Sequence, residues 1–455
     1  MCPKRASHGQ NAQDAEESTS SALNRFKHGQ RAYHGRLRRQ QHNVAQLEHQ
    51  GQDREAVPEH PLIPAGPPEL VATQAALDEA IGHLRQAGGF AYDTEFIGEL
   101  TYYPQLCLVQ LATTQRVILV DPLAKLDLQP LWALIAEPEV ETIVHAGPQD
   151  LEPVVRHLGR PPARVVDTQL AAGFVGLPYP LSLRELVREL VGASLSKGAT
   201  FTEWDRRPLA PMQLEYAADD VRYLPATWSI IRGRLEKTGH TAWALAECAT
   251  LCQAEAYAFN LDAQVLRVKG SGAMSGRKAA VLRALVAVRD HAARQQDVPP
   301  RALLRDEVLV GLAKRQPASR GELAAVSGLP RPIERAYGEQ LLQAMREGQQ
   351  APAPDMSEVR RPPEPPAERI AVDSLWALTQ SVCHSQAVDP ALVASRQDIR
   401  RFLAGLDRPA AAGDSVLMQG WRRQLVGEVL RDFVAAKRRV TLRWESGRLK
   451  GPEGS

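Results

Sequence analysis

The chain is poor in cysteine: Cys2, Cys107, Cys248, Cys252 and Cys383 are few, odd in number and scattered over 455 residues. That pattern excludes a disulfide framework and favours a reducing compartment. Cys248 and Cys252 lie about one helical turn apart, but no Cys or His close by in sequence completes a zinc set. Long apolar runs are missing too. Nothing approaches the ~18 residues that a membrane span needs, and no uninterrupted apolar segment follows the early Lys4 and Arg5. The expectation is a soluble, cytoplasmic protein without span or secretory signal. Asp14, Glu16 and Glu17 weigh against an acid-poor transit peptide. An excess of either charge is absent as well: 55 Lys and Arg face 53 Asp and Glu, for a net charge of +2. Any attraction to a polyanion must therefore come from local clusters.

At about 100 to 200 residues per domain, the length implies two to four domains. Residues 1–65 are rich in Gln, His, Ser and charge and carry half of the twelve histidines (His8, His28, His34, His42, His49, His60). They read as a disordered extension, since so little apolar surface cannot offset the entropy of ordering. Within it Arg25, Lys27, Arg31, Arg36, Arg38 and Arg39 run without an intervening acid. They form either a nucleic-acid tether or a solvated tail.

From 66 to 240 short apolar runs alternate with helical segments, predicting an α/β domain. Strands are expected at 90–96, 106–113, 117–120, 142–144 and 164–166. The first three succeed one another closely, as an antiparallel meander does. The later ones are separated by helices near 128–136 and 150–158, which calls for parallel pairing. A single long helix over 210–237 closes this mixed sheet. A helical connector, 241–270, leads to a small all-α domain at 271–349 with Val281, Leu282, Leu285, Val286 and Val288 at helical spacing. The proline-rich 350–369 reads as an extended linker, 370–436 as a second helical domain, and 437–455 as a basic tail.

Three stretches carry chemistry. In Gly-Phe-Ala-Tyr-Asp-Thr-Glu-Phe, residues 89–96, strand alternation puts Asp93 and Glu95 on one face, ~7 Å apart at the backbone. Two adjacent carboxylates on a partly desolvated strand repel, and a divalent cation removes that penalty; the other reading is a strand end in water. His145-Ala-Gly-Pro-Gln-Asp150 follows a strand directly. Gly147 and Pro148 start a helix with Asp150 in its first turn, where it either meets a ligand or complements the helix dipole. His145 either contacts a substrate phosphate or is satisfied within the fold. In the closing helix Tyr216 and Asp220 stand i and i+4 on one face, while Asp219 turns towards solvent. Asp93, Glu95, Asp150 and Asp220 together supply the oxygens that two hard cations about 4 Å apart require for phosphoryl hydrolysis.

These stretches, with Thr101-Tyr-Tyr-Pro-Gln-Leu-Cys-Leu-Val-Gln-Leu, Asp167-Thr-Gln-Leu and Trp204-Asp-Arg-Arg-Pro-Leu, resemble the ribonuclease D family in residue type and order. The resemblance spans about 68–240. It implies a ribonuclease H-like fold and a DEDD-class 3′-to-5′ exoribonuclease using Mg²⁺ or Mn²⁺, with RNA 3′ ends, tRNA precursors among them, as substrate. Asp93, Glu95 and Asp220 would ligate a first metal; Asp93 would be shared with a second, held by Asp150. Tyr216 would orient the attacking water. Phe96, Tyr102, Tyr103 and Gln105 would wall the pocket or merely pack. Trp204, Arg206 and Arg207 would be structural or phosphate-facing. Residues 271–349, with Leu304-Arg-Asp-Glu-Val-Leu and Tyr337-Gly, resemble an HRDC domain, and 370–436 a diverged second copy. The helical domains are expected to add RNA contacts and to be removable without loss of cleavage of short oligomers. The competing readings are a DNA-directed or dual-specificity exonuclease and an inactive RNA-binding scaffold.

Overall fold

The computed structural model describes residues 57–98, 100–195, 203–274, 276–354, 356, 365–406 and 415–441, and the strands at 443–445 and 448–450. Most of the N-terminal extension and much of the proline-rich linker lie outside the described residues.

The sheet has six strands: β1 (Glu69–Val71), β2 (Gly89–Ile97), β3 (Gln105–Ala112), β4 (Val117–Val120), β5 (Glu141–Val144) and β6 (Val165–Asp167). Their spatial order is β1-β4-β3-β2-β5-β6. β3 and β4 run antiparallel through the tight turn that Thr113 and Arg116 close, N–H to carbonyl at 2.9 Å. β5 is parallel to both β2 and β6, as the intervening helices require. β1 was not foreseen. Its three residues pair parallel with β4, too short a run to show a period.

Helices cover the sheet: α1 (Gln74–Ala87), α2 (Gln129–Ile135), α3 (Pro148–Leu158), α4 (Thr168–Ala172), α5 (Leu183–Leu190), α6 (Pro211–Arg222), α7 (Leu224–Thr238) and α8 (Thr241–Cys248). The core between them includes Leu77, Leu84, Phe90, Tyr92, Leu111, Trp132 and Leu151. The expected single helix over 210–237 is in fact two, α6 and α7, meeting at Tyr223. Pro225 explains the break, because it has no N–H to donate back to the preceding turn and suits the first turn of a new helix.

Residues 57–65, assigned to the disordered extension, are ordered. Ile63 is buried with Val187, Tyr223 and Ala226, and Val57 and Leu62 pack on the same cluster. Arg222, also buried, donates to the carbonyls of Pro64 and Gly66.

The described residues form two compact units. One joins the nuclease-like sheet to the C-terminal helices α15 (Pro366–Ser385), α16 (Pro390–Val393), α17 (Arg396–Leu406), α18 (Gly420–Arg422) and α19 (Glu428–Val434). The basic tail forms a hairpin there, β7 (Arg443–Glu445) antiparallel to β8 (Arg448–Lys450), where the sequence reading had only a tail. The other unit holds 97–105 and 259–362, with α9 (Leu261–Leu266), α10 (Arg277–Gln295), α11 (Pro300–Leu303), α12 (Asp306–Arg315), α13 (Arg320–Ala324) and α14 (Arg331–Gln350). Its core includes Val281, Leu282, Leu285, Leu309, Leu323 and Leu341.

Candidate active site

β2 carries Asp93 and Glu95 near its carboxyl end, and α3 begins just past the end of the neighbouring β5. The turn between β5 and α3 is tightly determined. A Cβ on Gly147 would approach Val144 to 2.6 Å, and Ala146 takes a left-handed φ of 58°. The Asp167 carboxylate at the end of β6 accepts from the N–H groups of Ala146 (3.0 Å) and Gly147 (3.1 Å). It also caps α4 through Gln169 N (2.8 Å). Asp167 therefore holds the first turn of α3, and with it Asp150.

β2 reaches Asp150 twice. The Tyr92 hydroxyl donates to the Asp150 carbonyl at 2.9 Å, and the Thr94 hydroxyl donates to its carboxylate. Neither residue was singled out from sequence. Thr94 lies between the two strand acids, and that position was the available signal.

The four acids are electrostatic neighbours. Burial, followed by the charges of Asp150, Asp220 and Glu95, holds the Asp93 carboxyl well above the usual carboxylate range. Glu95 is pushed up to about 8 by burial and by Asp220 and Asp150. Burial lifts Asp150 to about 6, against hydrogen bonds from Thr94 and Asp93. Asp220 rises to about 7 through burial and the charge of Asp219, while a hydrogen bond from Tyr216 pulls the other way.

α6 delivers Tyr216 and Asp220 one turn apart, and the phenol is hydrogen-bonded to the carboxylate as the i, i+4 spacing anticipated. Trp204 is buried, with its ring centroid 6.2 Å from that of Tyr216, so it braces the phenol. Asp219 is not solvated as expected. It is 6% exposed and pairs with buried Arg222 at 3.6 Å. Helical spacing alone does not reveal a cation that is buried alongside. Arg207 is structural: its guanidinium grips Asp121 with two contacts of 2.6 Å and donates to the Cys107 carbonyl at 2.7 Å. Arg206 is exposed and pairs with Glu203.

His145 corrects the phosphate expectation. Its Nδ1 is 3.0 Å from the Thr168 hydroxyl and its Nε2 3.0 Å from the Leu181 carbonyl, so both ring nitrogens serve the fold. Phe96 is half-buried towards the end of β2. Tyr102, Tyr103 and Gln105 belong to the helical unit.

The donor chemistry fits hard divalent cations: four half-buried carboxylates brought near one another, with no softer ligand in the set. Among the described residues, no three His, Cys, Asp or Glu side chains stand close enough together to hold an ion as they are. The acids are gathered by charge and not closed on one point.

A mixed sheet with this carboxylate and tyrosine constellation defines the class of 3′-5′ exonucleases. A family model described as 3′-5′ exonuclease matches residues 68–236, and one for the HRDC domain matches 278–345. The chain belongs to the ribonuclease D family and is a 3′-to-5′ exoribonuclease, of a class that works with metal ions. It is 36% identical over 367 residues to ribonuclease D of Gluconacetobacter diazotrophicus, covering 79% of this chain and 91% of that protein. With ribonuclease D of Musicola paradisiaca it shares 33% over 379 residues, 81% and 98% of the two chains. The crystal structure of Escherichia coli RNase D, titled an exoribonuclease involved in structured RNA processing, superimposes with a TM-score of 0.67 at 29% identity. That match covers 82% of this chain and all of the other. No helix among the described residues is long and apolar enough to cross a membrane.

Proposed function

We propose that this exoribonuclease trims RNA 3′ ends in the cytoplasm, tRNA precursors among them, one nucleotide at a time with release of 5′-monophosphates. The observation that carries the proposal is the gathering of Asp93, Glu95, Asp150 and Asp220 at the carboxyl end of β2, with Asp150 held there by Tyr92 and Thr94 and with burial raising all four carboxyls. Four acids held together at such cost are explained by a positive charge they are built to receive. In this reading Asp93, Glu95 and Asp220 hold one Mg²⁺ or Mn²⁺, and Asp93 and Asp150 a second. The ions supply a more acidic water and charge stabilisation at the leaving 3′ oxygen. The chain does the rest. Thr94 and Tyr92 fix the helix turn that bears Asp150. Asp220 holds the Tyr216 hydroxyl, which orients the attacking water. Phe96, at the strand end, is the wall for the terminal nucleotide. The HRDC domain and the helices of 370–436, read as its diverged second copy, add RNA contacts.

The test is a time course on 3′-labelled and 5′-labelled RNA and a matched DNA strand, with Mg²⁺, Mn²⁺ or chelator. Stepwise shortening of RNA from the 3′ end, abolished by chelator, is expected. Asp93→Asn and Asp220→Asn should each nearly eliminate turnover while keeping the wild-type circular dichroism. Retention of the wild-type rate by either variant would sink the assignment.

A further inference from the structure

The loop at 97–105 leaves β2 two residues beyond Glu95 and makes hydrogen bonds to the helical unit that the HRDC match covers. Tyr102 carries most of them. Its main-chain N–H donates to Asp297 Oδ1 at 3.0 Å, and its hydroxyl donates to Asp290 Oδ1 at 2.7 Å. Arg294 donates to the same hydroxyl at 3.0 Å, pairs with the other Asp290 oxygen at 3.2 Å, and sets its guanidinium 5.1 Å from the Tyr102 ring centroid. Tyr103 meets that ring edge-on at 4.7 Å, and Tyr102 packs on the helical core. One residue of the segment 97–105 thus has its backbone, its hydroxyl and a ring face occupied by the last turns of α10 and by Asp297, two residues past its end.

We propose that Tyr102 is a positioning residue: it latches the loop continuing the catalytic strand to α10 of the HRDC domain, so that this domain restrains how β2 presents its acids. The inference rests on the reading that Asp93 and Glu95 are catalytic. Its physical basis is conformational entropy. A loop pinned at Tyr102 leaves only a few free residues between the pin and the end of β2, which removes conformations in which the strand end frays. The Tyr102 phenol, raised to about 12 by burial and by its hydrogen bond to Asp290, stays a donor throughout the physiological range. This differs from the pocket-wall role that the motif suggested, in which Tyr102 would touch RNA itself.

The two roles separate in a double-mutant cycle on the full-length protein, using a short single-stranded oligoribonucleotide with Mg²⁺. Tyr102→Phe keeps the ring beneath Arg294 and removes only the hydroxyl. Asp290→Ala removes the acceptor from the other side, and Asp290→Asn restores a neutral one. Tyr102→Phe and Asp290→Ala should each lower kcat roughly three- to tenfold, the size of one lost hydrogen bond, with KM nearly unchanged. The double variant should be no worse than the poorer single, and Asp290→Asn should recover most of the rate. Amide exchange over 93–97 should quicken in step. A raised KM in Tyr102→Phe with wild-type kinetics in Asp290→Ala would make Tyr102 a direct substrate contact and overturn the latch. Additive losses, or none at all, would overturn it too. Asp93→Asn assayed in parallel keeps the questions apart: turnover surviving there defeats the site assignment itself, whatever the cycle shows.

Discussion

At the scale of single residues the strongest statement concerns protons. In the metal-free protein Glu95, Asp220 and Asp150 sit at about 8, 7 and 6, all above the ordinary carboxylate range. Between about pH 4 and 8 the folded form therefore binds more protons than the unfolded chain. Stability then falls as pH rises through that window, because the slope follows protons bound unfolded minus folded. Melting temperatures in chelator should drop from pH 5 to pH 8. Mg²⁺ or Mn²⁺, which binds the deprotonated set, should restore more at pH 8 than at pH 5. A melting temperature in chelator that rises over this range would contradict the raised, half-buried four-acid cluster. Tyr216→Phe tests a different group. It keeps the ring against Trp204 and loses the hydroxyl that Asp220 holds, so kcat should fall by about 10- to 100-fold, the order that a misplaced reactant costs. An unchanged kcat in single-turnover assays would remove Tyr216 from the mechanism. The nearness of these groups was legible here, because strand alternation and i, i+4 helical spacing place acids and a tyrosine on shared faces. The partners that decide side roles were not. His145 is spoken for by Thr168 and Leu181, and Asp219 by Arg222, through contacts that no local pattern encodes.

At the scale of elements, the central strands were readable from their apolar runs, with ends shifted by a residue or so. β1 escaped because three residues show no period, and the division of α6 from α7 escaped because the proline rule was outweighed by a continuous apolar face. Joints between elements depend on contacts distant in sequence. Arg207 and Asp121 illustrate this: the pair ties the segment before α6 to the end of β4 and to the Cys107 carbonyl in β3. Asp121 is 6% exposed, so losing its fork-shaped partner leaves a charge only partly compensated. Arg207→Lys keeps the charge but not the paired N–H geometry. It should cost about 1–3 kcal/mol of stability, the range for a charged hydrogen bond, while turnover of the folded enzyme stays close to wild type. Urea denaturation with parallel kinetics checks both halves, and a selective loss of kcat without loss of stability would reassign Arg207 to the substrate.

At the scale of the whole molecule, the sequence suggested that the helices beyond the nuclease could be removed freely. The packing of 366–434 argues otherwise. Trp421 lies edge-on to Phe174 at 4.8 Å, stacks with Trp243 at 6.1 Å and donates its indole N–H to Glu247 at 3.0 Å. Arg422 clamps the same Glu247 through contacts of 2.8 and 2.9 Å and caps the α16 carbonyls of Leu392 and Val393. The N–H of Asp389 donates to the Gly173 carbonyl at 2.8 Å, where Leu392 leaves no space for a Cβ. These residues form part of one shared core, so the C-terminal helices and the sheet should unfold together. Deleting 366–455 would expose Phe174 and Trp243 and strand the Glu247 charge, leaving a nuclease that is destabilised for reasons unrelated to RNA binding. Trp421→Ala isolates the effect without shortening the chain. Truncating a buried aromatic of this size costs about 3–5 kcal/mol, and the loss should appear in a single cooperative urea transition followed alike by fluorescence and circular dichroism. If the variant instead shows two transitions, with the sheet melting at its wild-type midpoint after the C-terminal helices have gone, the shared core is refuted and the segment is a separable domain after all.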